Sequence, residues 1–187
     1  MTTPRESLAT MLLHRRARGL RVTIAATAMA LACAASPPAA TAQPDNGSLN
    51  GRYIATSNGE WAQTNDQFRG ETSVRSTWTI SSTCVDPTDC TGTLSSDLGW
   101  TADIYKKSGM WYVRHTIPSW RQCSDGTSAD GLQLFRFYAG DPLTGQAVPS
   151  GSDTYLGDEV TSSASGACGI NKQLVIKMPF KMVAVAV

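Results

Sequence analysis

The sequence predicts an all-β fold: an antiparallel meander forming a small β-barrel or sandwich of about seven or eight strands, held by two disulfides. Three observations predict it. Apolar and polar residues alternate with period two along one stretch after another. Gly, Pro, Asn and Asp cluster at short intervals between those stretches. Beyond residue 42 no stretch keeps apolar residues at the three-and-four spacing of a helix.

Residues 1–42 read as an export signal rather than as part of the fold. Arg15, Arg16, Arg18 and Arg21 form a basic region, Val22 to Ala35 is an uncharged apolar run, and Ala40-Thr41-Ala42 is an A-x-A cleavage site before Gln43. The run is shorter than the roughly 20 apolar residues that span a bilayer. Arg15-Arg16 lacks the apolar residue that the twin-arginine route needs soon after the pair, because Arg18 stands there, so the general secretory route is expected. Ala30-Leu31-Ala32-Cys33 resembles a bacterial lipobox. Secretion is therefore the expected location, with lipid anchoring at Cys33 on the outer face of the cytoplasmic membrane as the alternative.

The elements follow in order. Residues 43–50 are a polar, turn-rich leader, expected to be flexible, and residues 51–187 a single β domain. Tyr53 to Ser57 is a first strand, ended by Asn58-Gly59. Trp61 to Gly70 reads as an irregular polar loop. The longest hairpin spans Glu71 to Tyr105. Val74, Ser76, Trp78 and Ile80 share one face before its tip, and Leu94, Ser96, Leu98, Trp100, Ala102 and Ile104 share one after it. Met110 to Ile117 is a strand, broken by Pro118-Ser119, and Trp120 to Cys123 a connecting piece. Ser124 to Gly131 reads as a loop with two Asp-Gly turns, Leu132 to Tyr138 as an aromatic strand and Gly140 to Gly151 as a long surface connection. Tyr155 to Ser163 and Leu174 to Val185 complete the set, with a turn around Cys168 between them. Pro179 lacks an amide donor, which places the last strand at an edge or a bulge and argues against full closure.

Composition excludes several functions. Without the signal the chain keeps 145 of its 187 residues, with 11 basic and 14 acidic side chains. A mildly acidic domain with dispersed lysines is a poor nucleic-acid binder, and no membrane span remains in the mature chain. Cys84, Cys90, Cys123 and Cys168 form an even set, which in an exported protein means two disulfides. Three pairings exist. The short turn containing Pro87 makes Cys84–Cys90 locally available and leaves Cys123–Cys168. The cysteines lack the closely spaced pairs of a zinc site. Asp125-Gly126 and Asp130-Gly131 lack the dense ligand alternation of an EF-hand loop, so no metal and no cofactor is expected.

One histidine, His115, remains after cleavage, in step with Trp111, Val113 and Ile117 on the apolar side of its strand. No G-x-S-x-G elbow accompanies it, and paired cysteines leave no thiol nucleophile. Glu60, Glu71, Asp97, Asp103, Asp158 and Glu159 could supply carboxylates for a hydrolase, but Asp97 and Asp103 fall on a polar strand face. Trp78, Trp100 and Trp111 are in register with the core. Trp61 and Trp120 fall on loops beside polar residues, where aromatic rings stack on sugars or partner proteins. Trp61, Trp120, Arg121 and His115 are thus the candidate ligand-binding residues.

Trp78-Thr79-Ile80-Ser81-Ser82-Thr83-Cys84 followed by Cys90-Thr91-Gly92 resembles a pattern in small exported, disulfide-containing proteins of mycobacteria and related actinobacteria. Ser96-Asp97-Leu98-Gly99-Trp100 and Trp120-x-x-Cys123-x-Asp125-Gly126 are similar to later parts of the same sequences. The resemblance covers most of Gly51 to Tyr138 and implies secretion and a disulfide-held β domain, without an assigned activity. Asn50-Gly51-Arg52-Tyr53 is similar to the G-x-W opening strand of lipocalin-type barrels, with Tyr in place of Trp. The expected function is a secreted, non-enzymatic β domain that binds an unidentified small ligand or an envelope or extracellular partner. The alternatives are a small carboxylate-dependent extracellular hydrolase and a purely structural envelope protein.

Overall fold

Alternation of side chains makes each strand two-faced, and eight such strands bury their apolar faces by closing on one another. The computed structural model describes residues 46–148 and 152–186. The export signal and Cys33 lie outside the described residues. Ten strands are present: β1 (Asn50–Ser57), β2 (Gln63–Thr64), β3 (Gln67–Phe68), β4 (Val74–Asp86), β5 (Asp89–Ser96), β6 (Thr101–Lys107), β7 (Met110–Gln122), β8 (Ser128–Ala139), β9 (Thr154–Ser163) and β10 (Val175–Ala184). Strands β1 and β4 to β10 form an antiparallel meander, and β10 returns to pair with β1, so the barrel closes with eight strands. Closure leaves none of these eight as a sheet edge. The β2–β3 hairpin is added alongside β10. Among the described residues no helix is long and apolar enough to cross a membrane.

The register fixes two ends. One, the leader end, holds the start of β1 and the β4–β5, β6–β7 and β8–β9 turns. The other, the loop end, holds residues 58–73, the β5–β6 turn, the outer parts of β7 and β8, and the β9–β10 connection. Inward positions follow the alternation expected from the sequence. Trp78 and Ile80, Leu94, Ile104, Trp111 and Val113, Phe135 and Phe137, and Phe180 and Met182 are all buried. Trp78 is the hub, edge-on to Phe135 with ring centres 4.9 Å apart and stacked on Phe180 at 5.3 Å. The buried aromatic and aliphatic side chains fill the middle of the barrel, so the interior there is a core rather than a calyx.

Both disulfides have the expected partners. Cys84 and Cys90 sit directly opposite each other on β4 and β5 with Cα atoms 3.9 Å apart. Cys123–Cys168 joins the β7–β8 arm to the β9–β10 connection, with Cα atoms 5.1 Å apart. Two such disulfides fit a secreted or extracellular location.

The structure corrects several expectations. Pro179 does not lie on an edge. Its carbonyl accepts from the Asn58 amide at 2.9 Å, so its missing N–H points to the same side. On that side β1 has ended opposite Phe180, and β2 pairs only from Lys177 onward. The proline occupies the gap between two partners, so closure costs no ladder bond there. The described part of the leader is docked: Leu49 is 1% exposed, its amide donates to Ser82 Oγ at 2.7 Å, and that hydroxyl donates to the Leu49 carbonyl at 2.8 Å. A lone apolar residue in a polar stretch carries no periodic signal. The loop after β1 contains β2 and β3, joined by Asn65 and Asp66 at φ 49 and 67, the two left-handed residues of a tight hairpin turn. Strand β7 continues through Pro118-Ser119 to Gln122. A bulge between Ile117 and Arg121 absorbs the proline, and Asp130 Oδ1 accepts from the Ser119 amide at 2.8 Å. Asp130-Gly131 is therefore strand, and only Asp125-Gly126 is a turn.

Candidate functional site

The loop end is where the inner wall of the barrel changes from hydrocarbon to polar. Several inward strand positions there end in a hydroxyl, an amide or a carboxylate: Ser57 on β1, Ser76 on β4, Ser96 on β5, Gln133 on β8, and Glu159, Thr161 and Ser163 on β9, while Met178 on β10, opposite Glu159, stays apolar. All except the half-buried Gln133 are buried. Buried polar groups are costly unless paired. Two residues of this wall, Gln133 and Thr161, are organised around Glu159, which is 2% exposed. One of its oxygens, Oε1, accepts from Gln133 Nε2 at 2.6 Å and from Thr161 Oγ1 at 3.1 Å. A carboxylate offers only acceptors, so the Gln133 amide turns its nitrogen to Glu159 and its oxygen away. That oxygen faces His115 Nδ1 at 3.2 Å, which makes Nδ1 the protonated nitrogen. The His115 ring stacks on Trp100, with centres 4.3 Å apart and planes 18° apart. A relay Glu159–Gln133–His115–Trp100 thus ties β9, β8 and β7 to the β5–β6 turn.

Two polar atoms are left over. Glu159 Oε2 and Trp78 Nε1 are buried and have no hydrogen-bond partner. Both residues line one cavity of about 30 Å³, together with Ser57, Ser76, Trp100 and Gln133. Val74 and Leu98 also line it and are exposed, so they mark its mouth.

The four candidate residues lie at this same end, on separate elements. Trp61 ends a 3-10 turn (Gly59–Trp61) and is 59% exposed. Its loop is folded on itself. Asn58 Oδ1 accepts from the Glu60 amide at 3.0 Å, Gly59 receives the Glu71 amide at 2.8 Å, and a Cβ on Gly59 would meet the Glu71 carbonyl oxygen at 2.1 Å. Only glycine permits this approach. Trp120 lies on the β7 bulge and is half-buried. Its ring covers Gly131, where a Cβ would come within 2.8 Å of it. Gly131 has the inward parity of Gln133 and Phe135, so the ring lies over the inner face of β8. Arg121, half-buried, has one buried guanidinium nitrogen, Nη1, without a partner. It pairs with Ala129, while Glu159 pairs with Phe135 six residues along β8. At strand rise that is roughly 20 Å, so Arg121 and the cavity are separate features. His115 alone of the four belongs to the relay.

Sequence reasoning missed Gln133, and it named Glu159 only among possible hydrolase carboxylates. The available signal was parity: in Tyr155, Gly157, Glu159, Thr161 and Ser163 the inward face of β9 turns polar towards one end. It also missed Phe68, which is 74% exposed on β3 at the loop end. Asp97 and Asp103 are exposed, and Glu159 is the buried carboxylate among the described residues. Among those residues no group of three or more His, Cys, Asp and Glu side chains could hold a metal ion. A larger groove of about 290 Å³ lies at the leader end, lined by Gly47, Pro87, Lys106, Trp111 and Tyr155 among others.

No family model matches the chain, and no curated protein matches it. Among solved structures, the monomer form of the M. tuberculosis PknI sensor domain is similar, with a TM-score of 0.51 and 14% sequence identity, covering 74% of this chain and 88% of that chain. At this identity the likeness is one of fold. A mycobacterial domain therefore shares the architecture that the sequence resemblance implied.

Proposed function

We propose that this chain is an exported, non-enzymatic β domain that recognises a ligand or an envelope or extracellular partner through the loop end of its barrel. Trp61, Trp120, Arg121 and His115 are its contact residues. The observation that carries the reading is the exposed aromatic Trp61, held on a self-buttressed loop beside an inner wall that contains unpaired buried polar atoms. Folding alone does not account for the unmatched buried groups, which work against stability. Cleavage after Ala42 would deliver the domain to an oxidising compartment, where the two disulfides persist. The similar fold of a domain described as a sensor is compatible with a recognition role.

The test compares Trp61→Ala with wild type in a pelleting assay against envelope and culture fractions of the native host. The expected result is loss of association with an unchanged unfolding midpoint, because the ring is solvent-exposed. Association that survives both Trp61→Ala and Arg121→Ala would overturn the assignment of these residues.

A further inference from the structure

We infer that the cavity at the loop end is a pocket for a primary hydroxyl group of a sugar or polyol, taken up between Glu159 and Trp78. The inference rests on the reading of the loop end as the recognition surface and names the chemical class recognised there.

Complementarity decides the class. An indole N–H can only donate and a carboxylate oxygen can only accept. The two residues of this cavity's lining that carry an unpartnered buried atom, Trp78 with Nε1 and Glu159 with Oε2, supply one of each. An ammonium group would serve Glu159 and leave the indole unmatched. A carboxylate would serve the indole and meet Glu159 with like charge. A hydrocarbon would serve neither. A hydroxyl both donates and accepts, so it matches the pair.

Size and shape narrow it further. A site needs about 10–15 Å³ to hold one water, and this one has about 30 Å³. That admits a hydroxyl or hydroxymethyl group and excludes a sugar ring, which must stay at the mouth. The mouth carries the exposed apolar side chains of Val74 and Leu98, with Trp100 beside them, a surface suited to the apolar face of a pyranose. The site is preorganised: Gln133 and Thr161 both bond the same carboxylate oxygen, which fixes the orientation of the other. Ser57 and Ser76 supply two more hydroxyls to the lining.

The experiment titrates the full mature chain with methyl glycosides of D-glucose, D-galactose and D-mannose, each against its 6-deoxy counterpart, which lacks only the primary hydroxyl. Linear oligosaccharides of the same hexoses form a second arm, to separate a free sugar from the end of a polysaccharide. Binding is read by intrinsic tryptophan fluorescence and by saturation-transfer NMR. For at least one hexose, free or at a chain end, saturable binding is expected, with the 6-deoxy compound weaker by about tenfold or more. Glu159→Gln should weaken the parent sugar by a similar factor while the 6-deoxy sugar changes little. Equal binding of parent and 6-deoxy sugars, or no saturable binding across the panel, would overturn the inference and leave the cavity a water site. Butylammonium chloride is the counter-probe: its saturable binding, lost in Glu159→Gln, would assign a cation instead. If Glu159→Gln does not fold, the wild-type comparison of each sugar with its 6-deoxy form still decides. Should Trp61→Ala abolish association while the sugar pairs bind alike, the broader recognition reading stands and this one fails.

Discussion

The two ends of the barrel are built from the same eight strands and solve opposite problems. At the leader end Leu49, Ile104, Trp111 and Phe137 are buried, and the Cys84–Cys90 bridge and the docked residues 46–49 close the opening. At the loop end many inward positions are serines, a threonine, a glutamine and a glutamate, three buried polar atoms lack partners, and Trp61 and Phe68 face solvent. The first end is what folding alone would select. The second keeps costs that folding would remove, and such costs concentrate where proteins bind. The contrast teaches that unmatched chemistry, rather than volume, sets the loop-end cavity apart: it is small, and the two residues with unpartnered buried atoms line it.

The largest expected effect tests the leader end as core. Leu49→Ala should cost about 2–5 kcal/mol of stability in urea unfolding, the usual range for a fully buried leucine. A loss of a few tenths would mean that the leader merely rests on the barrel. The next effect has the opposite sign. Glu159→Gln keeps the acceptor for Gln133 and Thr161 and removes a carboxylate that is buried with one oxygen unpaired. It should raise stability by about 1 kcal/mol in the absence of ligand. Destabilisation by that substitution would show the loop-end relay to be structural.

The smallest effect concerns acid and should not discriminate between the ends. Hydrogen bonds from Thr88, chiefly its hydroxyl, hold Asp86 below the usual carboxylate range at the leader end. Thr127, again chiefly through its hydroxyl, does the same for Asp125 at the loop end. A folded-state value below the unfolded one means that the unfolded chain takes up protons first. Stability from these turns is therefore full above the ordinary carboxylate range and is lost as pH falls through the lower folded values. Unfolding midpoints followed from about pH 5 to about pH 2 should decline, and Thr88→Val and Thr127→Val should each flatten the decline slightly. A selective effect of one variant would show that one turn is coupled to the barrel and the other is not.

Much of this was legible in the chain. Alternation in Val74 to Ile80 and Trp111 to Ile117 placed the core residues on the correct faces, and the cysteine spacing yielded both bridges. The run from Leu94 to Ile104, read as one strand, turns at residues 97–100 between β5 and β6 and leaves Leu98 exposed. What was not legible depended on partners distant in sequence. Pro179 argued against closure until its neighbours showed a gap on its donor side. Pro118-Ser119 looked like a strand end because a bulge bonded by Asp130 has no local signature. Glu159 looked like one carboxylate among several. Its burial follows from inward parity on β9, and its unpaired oxygen only from the way Gln133 and Thr161 crowd the other one.

The most direct test of the division between the ends is amide hydrogen exchange of the full mature chain, read by mass spectrometry with and without soluble envelope extract of the native host. Added protection in residues 58–73, 97–100, 119–133 and 164–174 is the predicted result. Protection gained instead at residues 46–49, 86–89 and 107–110 would contradict it and assign recognition to the leader-end groove.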